Sequence, residues 1–177
     1  ARPWIGHGSS AISHLDGRVF FGQRATGNFY TWHSTTGLST LVSNVSNPGA
    51  FEAIAVDQTT GRVFWGQDSG TPGNIWTWHA STGLSVLVTG QSDPGDFGNI
   101  KAVPGGAYWG TQGAGTARMY YWNSNDGLQT IGFSLTSPGR PRSMNVYQAG
   151  QRLYFGEQSA TGSFFTFSPG NCQNRGY

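Results

Sequence analysis

The sequence has few charged residues, with one lysine and one cysteine among 177 residues. Charged side chains make up 10% of the chain, the formal net charge is +2, and the basic residues are scattered along the sequence. Nucleic-acid binding requires clustered Lys and Arg, so it is not expected. No apolar run approaches the roughly 18 residues of a membrane-spanning helix, so membrane insertion is not expected either.

The cysteine and histidine content gives no metal-binding signature. Cys172 lies in a polar segment, and two interpretations stay open: a free thiol, or an intermolecular disulfide that would make a homodimer. Cysteine pairs and a His-x-x-x-His spacing are both missing, so a zinc site is not expected. The sequence predicts no metal and no other cofactor.

Motifs of enzymes are also missing. The chain has no Gly-x-Ser-x-Gly elbow and no phosphate-binding loop. Glycoside hydrolysis needs two facing carboxyl groups. Asp68 and Glu157 are one pair that a ring-shaped fold could bring together, but many other pairs qualify equally. The sequence therefore predicts a protein that is not an enzyme.

The chain is instead rich in aromatic residues and glycine, and these recur with a fixed period. Aromatic pairs followed by glycine occur four times, and the glycines are spaced by 44, 44 and 46 residues: Phe20-Phe21-Gly22, Phe64-Trp65-Gly66, Tyr108-Trp109-Gly110 and Tyr154-Phe155-Gly156. A second marker follows each of them: Tyr30-Thr31-Trp32, Trp76-Thr77-Trp78, Tyr120-Tyr121-Trp122 and Phe165-Thr166-Phe167. Such a period indicates stacked supersecondary units.

One unit of the repeat reads as four β-strands. Apolar and polar residues alternate with period two, and the spacing typical of a surface helix is missing. In the clearest copy the predicted strands are residues 53–57, 62–66, 74–78 and 84–88, joined by segments rich in Gly, Thr, Ser and Asp. A turn glycine opens the last strand in three copies, as Gly37, Gly83 and Gly127. Each unit is therefore a four-stranded antiparallel meander.

These sheets carry large apolar side chains on both faces, which favours radial packing of the units. The sequence predicts an all-β fold, a single four-bladed β-propeller domain with blades at about 7–46, 47–92, 93–138 and 139–177. A solenoid is the alternative, but it needs polar caps that neither end shows. The last unit lacks its outer strand, and we expect residues 1–6 to supply it and close the ring.

The second unit also resembles a known repeat. Ile54-Ala55-Val56-Asp57 followed by Gly61-Arg62-Val63-Phe64-Trp65 is similar to the blade pattern of propellers with a YWTD-type repeat. By blade number the chain resembles hemopexin-like propellers, although its single cysteine cannot form the disulfide that closes the ring in that family. Both resemblances imply a β-propeller repeat protein, and a lectin-type propeller follows only by analogy.

Polar residues recur where strand two ends and strand three begins. We interpret these residues as a ligand-binding face: Gln23, Arg24, Asn28, Gln67, Asp68, Asn74, Gln112, Arg118, Glu157 and Gln158. Planar polar groups beside aromatic rings suit sugars, so the predicted partners are glycans or glycoproteins bound at several similar sites. A protein-binding or structural propeller, such as a toxin, effector or matrix component, is the alternative function.

Two sets of repeated residues allow both a structural and a functional interpretation. His33 and His79 hold equivalent positions after a strand-three Trp, and we expect them to start hairpin turns rather than to bind a metal. The aromatic residues that end strand three are expected to form the core between blades, with sugar stacking as the alternative: Trp32, Trp78, Trp122 and Phe167.

An extracellular location is expected from three features. The sequence starts at Ala1 without an initiator Met, as a processed secreted protein would. Asn44-Val45-Ser46 is a glycosylation sequon in an expected surface loop. The scarcity of charge and of lysine favours the same location.

Overall fold

A computed structural model describes nine segments of the chain: 10–22, 28–43, 50–68, 73–91, 100–111, 118–131, 140–147, 152–158 and 164–167. All regular structure within these segments is β-strand, which confirms the predicted all-β class. No helix long and apolar enough to cross a membrane occurs in the described segments.

The strands form four antiparallel sheets, which we call blades 1 to 4 in chain order. Blade 1 contains β1 (Ser10–Ile12), β2 (Val19–Gly22), β3 (Phe29–His33) and β4 (Gly37–Val42). Blade 2 contains β5 (Ala50–Val56), β6 (Val63–Asp68), β7 (Gly73–His79) and β8 (Gly83–Gln91). Blade 3 contains β9 (Ile100–Val103), β10 (Gly106–Thr111), β11 (Arg118–Asn123) and β12 (Gly127–Thr130). Blade 4 contains β13 (Arg140–Tyr147), β14 (Arg152–Gln158) and β15 (Phe164–Phe167).

Every blade is a meander in which each strand pairs with its neighbour in sequence. This confirms the predicted topology of the repeat unit. Blade 4 has three strands among the described residues, whereas the other blades have four. The predicted fourth strand, residues 1–6, lies outside the described residues, so its pairing with β15 stays a prediction.

Positive backbone angles at glycine set the repeated turns. Gly37, Gly83 and Gly127 have φ angles of 71°, 70° and 70°. A side chain is strained in this conformation, whereas glycine adopts it without a steric penalty. The recurring Gly-Leu marker in the sequence is therefore the point at which each outer strand begins.

Aromatic side chains pack between neighbouring blades in a repeated way. Three ring contacts join a strand-two aromatic of one blade to the last strand-three aromatic of the next: Phe20 with Trp78 at 5.9 Å, Phe64 with Trp122 at 5.7 Å, and Tyr108 with Phe167 at 6.4 Å between ring centroids. These contacts confirm that Trp78, Trp122 and Phe167 belong to the interfaces between blades.

A second layer of contacts lies beside the first. Phe29 of blade 1 stacks on Trp65 of blade 2, with ring centroids 4.1 Å apart and an interplanar angle of 14°. Ile75 and Trp109 belong to one buried cluster between blades 2 and 3. Met119 and Phe155 belong to another between blades 3 and 4. Each core therefore lies between two blades, so no blade buries its apolar faces alone.

The expectation of a buried Trp32 was wrong. Its side chain is 45% exposed, because none of the described strands packs on the side of blade 1 that carries it. The first strands of the blades contact each other in the order β1, β5, β9, β13. Among the described strands, no contact of similar extent joins blade 4 back to blade 1. The described blades thus form an open series.

Candidate functional site

The two ends of the blades differ in which strand connections they carry. One end, which we call the turn end, carries the first and last hairpins of a blade; in blade 2 these are residues 57–62 and 80–82. The opposite end, the loop end, is where strand two finishes and strand three begins, as at Gln67 and Asn74 in blade 2. In blades 1 to 3 the last strand also ends at the loop end, and the first strand of the next blade begins there.

Histidines at the turn end hold neighbouring hairpins together. The Nε2 atom of His79 lies 3.0 Å from the carbonyl oxygen of Thr60, and Nδ1 accepts a hydrogen bond from the Ser81 backbone N–H. His33 makes the equivalent contacts, with Nε2 2.9 Å from the carbonyl oxygen of Asp16. Both ring nitrogens therefore serve the turns. This confirms the structural interpretation of the two histidines.

Asn123 occupies the histidine position in blade 3 and makes a different set of hydrogen bonds. Its Oδ1 atom accepts hydrogen bonds from the backbone N–H groups of Asn125 and Asp126, both at 2.8 Å. Its Nδ2 donates to the Asp126 carboxylate at 2.9 Å. Side chains that bond to the backbone two or three residues further on stabilise such turns. The repeated polar residue is a structural feature in all three blades.

Asp57 is a buried carboxylate with a complete set of donors. Its side chain is 1% exposed. Oδ1 accepts from the backbone N–H and the hydroxyl of Thr59, and Oδ2 accepts from the hydroxyl of Thr60. Burial raises the pKa of Asp57, but the hydrogen bonds outweigh it and hold the pKa below the ordinary carboxyl value. A carboxylate fixed in this way is a poor general acid or base near neutral pH.

The same carboxylate also connects two blades. Oδ2 of Asp57 accepts a hydrogen bond of 2.9 Å from the backbone N–H of Gly105 in blade 3. Gly105 has a φ of 75° and lies in the tight turn between β9 and β10. The sequence pattern identified Asp57 only as part of a repeat motif. Its role between blades depends on a partner 48 residues away, which no local signal reveals.

Gln58 makes a second polar connection between blades. Its Oε1 accepts from the His14 backbone N–H at 2.7 Å, and its Nε2 donates to the Ile12 carbonyl oxygen at 2.9 Å. One amide therefore satisfies two backbone groups of blade 1. At the turn end, the polar side chains between blades 1, 2 and 3 are used to hold the blades together.

Strand register places several of the predicted ligand residues at the loop ends of their blades. Gln67 lies directly opposite Asn74, and Arg118 lies opposite Thr111. In blade 4, Gln158 lies opposite Arg140. The register therefore places these residues at the same end of blades 2, 3 and 4.

Several predicted site residues belong to strands rather than to loops. Asp68 ends β6, Arg118 begins β11, and Glu157 lies in β14. The first strands β5 and β13 carry irregularities between Phe51 and Ala53 and between Pro141 and Ser143, after which pairing continues. The strands therefore extend further than the period-two pattern indicated.

Of the remaining predicted residues, the structure describes Asn28. The Asn28 side-chain amide donates to the Tyr30 hydroxyl at 3.0 Å, beside the start of β3. Four predicted residues lie outside the described residues: Gln23, Arg24, Gln112 and Cys172. Arg140 was not among the predicted ligand residues. It belongs to Arg140-Pro141-Arg142, a local concentration of positive charge in the sequence.

Within the segments that the structure describes, no cluster of three His, Cys, Asp or Glu residues suits a metal ion. The carboxylates of the predicted face lie in different blades, with Asp68 in blade 2 and Glu157 in blade 4.

Comparison with solved structures shows the class of protein. The chain is similar to a chain in the crystal structure of a nidogen/laminin complex, with a TM-score of 0.68, 16% identity, and coverage of 94% of this chain and 62% of that one. It is also similar to virginiamycin B lyase from Staphylococcus aureus, with a TM-score of 0.65, 14% identity, and coverage of 90% and 54%. It is similar as well to a chain in the crystal structure of the mitotic checkpoint complex, with a TM-score of 0.67, 13% identity, and coverage of 95% of this chain and 50% of that one.

These neighbours are β-propeller proteins, and the nidogen propeller is of the YWTD type. The chain is thus a β-propeller repeat protein, as its repeat pattern predicted. It spans less than two thirds of the length of each of these three chains. No protein-family model and no curated protein matches it. At these identities the similarity shows the fold alone.

Proposed function

We propose that the chain is a non-catalytic, extracellular β-propeller that binds glycans at its loop end. The observation that carries this proposal is the strand register at the loop end. Polar side chains of the turn end make contacts within and between blades, as Asp57 and Gln58 do. The register places a second set of polar residues at the loop end of blades 2, 3 and 4.

The chemistry of that second set fits a sugar. Amide and carboxylate oxygens accept hydrogen bonds from hydroxyl groups, and guanidinium and amide N–H groups donate to them. Each such bond contributes about 0.5–1.5 kcal/mol net, so a single site is expected to bind in the millimolar to high micromolar range. Similar sites on several blades raise the avidity for a branched or clustered glycan.

The first test is a calorimetric titration with monosaccharides and short glycans. We expect weak binding at more than one site, and Asp68→Ala should remove one site while leaving the others. The matched control is Asp126→Ala at the turn end, which should leave the titration unchanged. Equal effects of the two variants would contradict the placement of the ligand face.

A protein partner is the second candidate ligand. Two of the similar chains, those from the nidogen/laminin and mitotic checkpoint structures, come from protein complexes. Under this alternative the same loop-end residues would contact a protein surface. A chain that binds no glycan but captures a specific protein, with loss of capture in Asp68→Ala, would favour it.

We further propose that residues 1–6 form the missing outer strand of blade 4 by pairing with β15. Support comes from the three-stranded described sheet of blade 4, since an edge strand with unpaired backbone groups is unfavourable. Deletion of residues 1–6 should lower the melting temperature or cause aggregation. Thermal unfolding checks this, and an unchanged melting temperature and solubility would contradict it.

A further inference from the structure

Two hairpins at the turn end contain an aspartate followed directly by glycine. Asp16-Gly17 lies in the turn between β1 and β2, and Asp126-Gly127 lies where the chain turns from β11 into β12. Both aspartates are exposed, and the glycines have φ angles of 75° and 70°. Beyond the adjacent residues, no described heavy atom lies within 4 Å of where a Cβ atom would stand on either glycine. The backbone beside each aspartate is therefore sterically open.

An aspartate followed by glycine can rearrange with water as the only other reactant. The glycine backbone nitrogen attacks Cγ of the protonated carboxyl group, a C–N bond forms, and the amide proton leaves with the carboxyl hydroxyl as water. Water then opens the five-membered succinimide. Breaking the bond from nitrogen to Cγ restores aspartate, whereas breaking the bond from nitrogen to the main-chain carbonyl carbon gives isoaspartate. Glycine favours the attack because it has no Cβ atom to hinder its nitrogen.

The carboxylate of Asp16 is held by Arg18, the residue after the glycine. Oδ2 accepts a hydrogen bond of 2.7 Å from Nε of Arg18, and Oδ1 accepts one of 3.2 Å from the Arg18 backbone N–H. Burial raises the pKa of Asp16, but hydrogen bonds with Ser13 and Arg18 outweigh it and hold the pKa below the ordinary carboxyl value. The contacts therefore keep this carboxyl group ionised and fixed in one orientation, and an ionised carboxyl group is a poor target for the glycine nitrogen.

The carboxylate of Asp126 has a weaker restraint. The residue after its glycine is Leu128, which carries no charge. Oδ2 of Asp126 accepts a hydrogen bond of 2.9 Å from the neutral side-chain amide of Asn123. Within the described segments, the ion pair of Asp16 with Arg18 has no counterpart at Asp126. The two turns thus share the reactive pair of residues and differ in the cation that restrains the carboxylate.

We propose that Asp126 is a site of spontaneous isomerisation to isoaspartate, and that Arg18 protects Asp16 from the same reaction. Isoaspartate takes the main chain through Cγ, so it adds one carbon atom to the backbone between Asp126 and Gly127. Asn123 pairs with Gly127 across this hairpin, and the added atom would shift that pairing. The modification therefore loosens the turn that begins β12, at the end of blade 3 opposite the proposed ligand face.

Prolonged incubation of the native chain at neutral pH tests the proposal. Peptide mapping by mass spectrometry locates isoaspartate, and an isoaspartate-specific methyltransferase with a labelled methyl donor measures its amount. Isoaspartate should accumulate several-fold faster at Asp126 than at Asp16. In urea, where the folded contacts are lost, the two sites should react at similar rates. Asp126→Glu is the assay control, because its longer side chain cannot form the five-membered ring and the signal from this turn should disappear.

A second variant tests the protection of Asp16. Arg18→Ala should raise the rate of isomerisation at Asp16 in the native chain and leave the rate at Asp126 unchanged, with circular dichroism confirming the fold. The proposal is overturned if the folded chain forms isoaspartate as fast at Asp16 as at Asp126, or if Asp126 reacts only in urea. An unchanged rate at Asp16 in Arg18→Ala would overturn the protective role of Arg18.

Discussion

Trp65→Ala is expected to lower the free energy of unfolding by about 3–5 kcal/mol, the range for removing a large aromatic side chain from a core. Trp65 is 0% exposed and stacks on Phe29 of the neighbouring blade. The change therefore removes the ring from the interface between blades 1 and 2, where the surrounding strands are fixed by their own pairing. Urea unfolding followed by circular dichroism on dilute protein measures the loss.

Two further variants test whether the loss of stability depends on the buried ring of Trp65. Phe155 fills the equivalent strand position in blade 4, so Trp65→Phe should cost less than half as much as Trp65→Ala. Phe21 fills it in blade 1 and is partly exposed, so Phe21→Ala should cost roughly 1 kcal/mol. Similar losses for Trp65→Ala and Phe21→Ala would mean that the two faces are equally covered, against the exposure that the structure gives.

Asp57→Ala is expected to lower the free energy of unfolding by about 3 kcal/mol, because it leaves four partly buried donors without their acceptor. Those donors are the backbone N–H groups of Thr59 and Gly105 and two threonine hydroxyls. Asp57→Asn should not restore stability. One backbone N–H faces each carboxylate oxygen, so either orientation of an amide would point an N–H group at a backbone donor.

The pH dependence of stability follows from the same geometry. The pKa of Asp57 is lowered in the folded chain, so its contribution is complete above the unfolded pKa of about 3.9 and is lost as the pH falls through the folded pKa. The pKa of Asp16 is lowered too: burial raises it, and hydrogen bonds with Ser13 and Arg18 outweigh that effect. The difference between wild type and Asp57→Asn therefore isolates Asp57.

Denaturation of both proteins between pH 6 and about pH 2 measures this difference, since the relevant window lies below the unfolded carboxyl pKa. We expect the stability gap to narrow as the pH falls. A gap that stays constant with pH would show that the Asp57 carboxylate does not contribute through its charged form.

The fold could be predicted from the sequence because its signals are local and repeated. The period of the Phe64-Trp65-Gly66 motif gives the length of one blade. Glycines such as Gly83 mark the turns, because few other residues tolerate their backbone angles. Trp32 shows the limit of this reasoning. Its local sequence is similar to that of Trp78, and the presence of a neighbouring blade is what separates the exposed Trp32 from the partly buried Trp78.

The candidate site could be predicted only in part. Register at Gln67 and Asn74 follows from strand pairing, which the alternation pattern gives. The lengths of β6 and β14 do not follow, because irregular pairing near Ala53 and Ser143 lets the strands continue beyond the alternating segment. Contacts between distant segments, such as that of Asp57 with Gly105, carry no local sequence signal at all.

The meander order of the strands has a consequence for how the chain folds during synthesis. Every described strand pairs only with the strand before or after it, so the hydrogen bonds of each described sheet require no distant segment of the chain. Folding rates rise as the sequence separation between contacting residues falls. Each blade can therefore form its hydrogen bonds soon after it leaves the ribosome. Its apolar faces then become covered when the next blade, some 44 residues later, is complete.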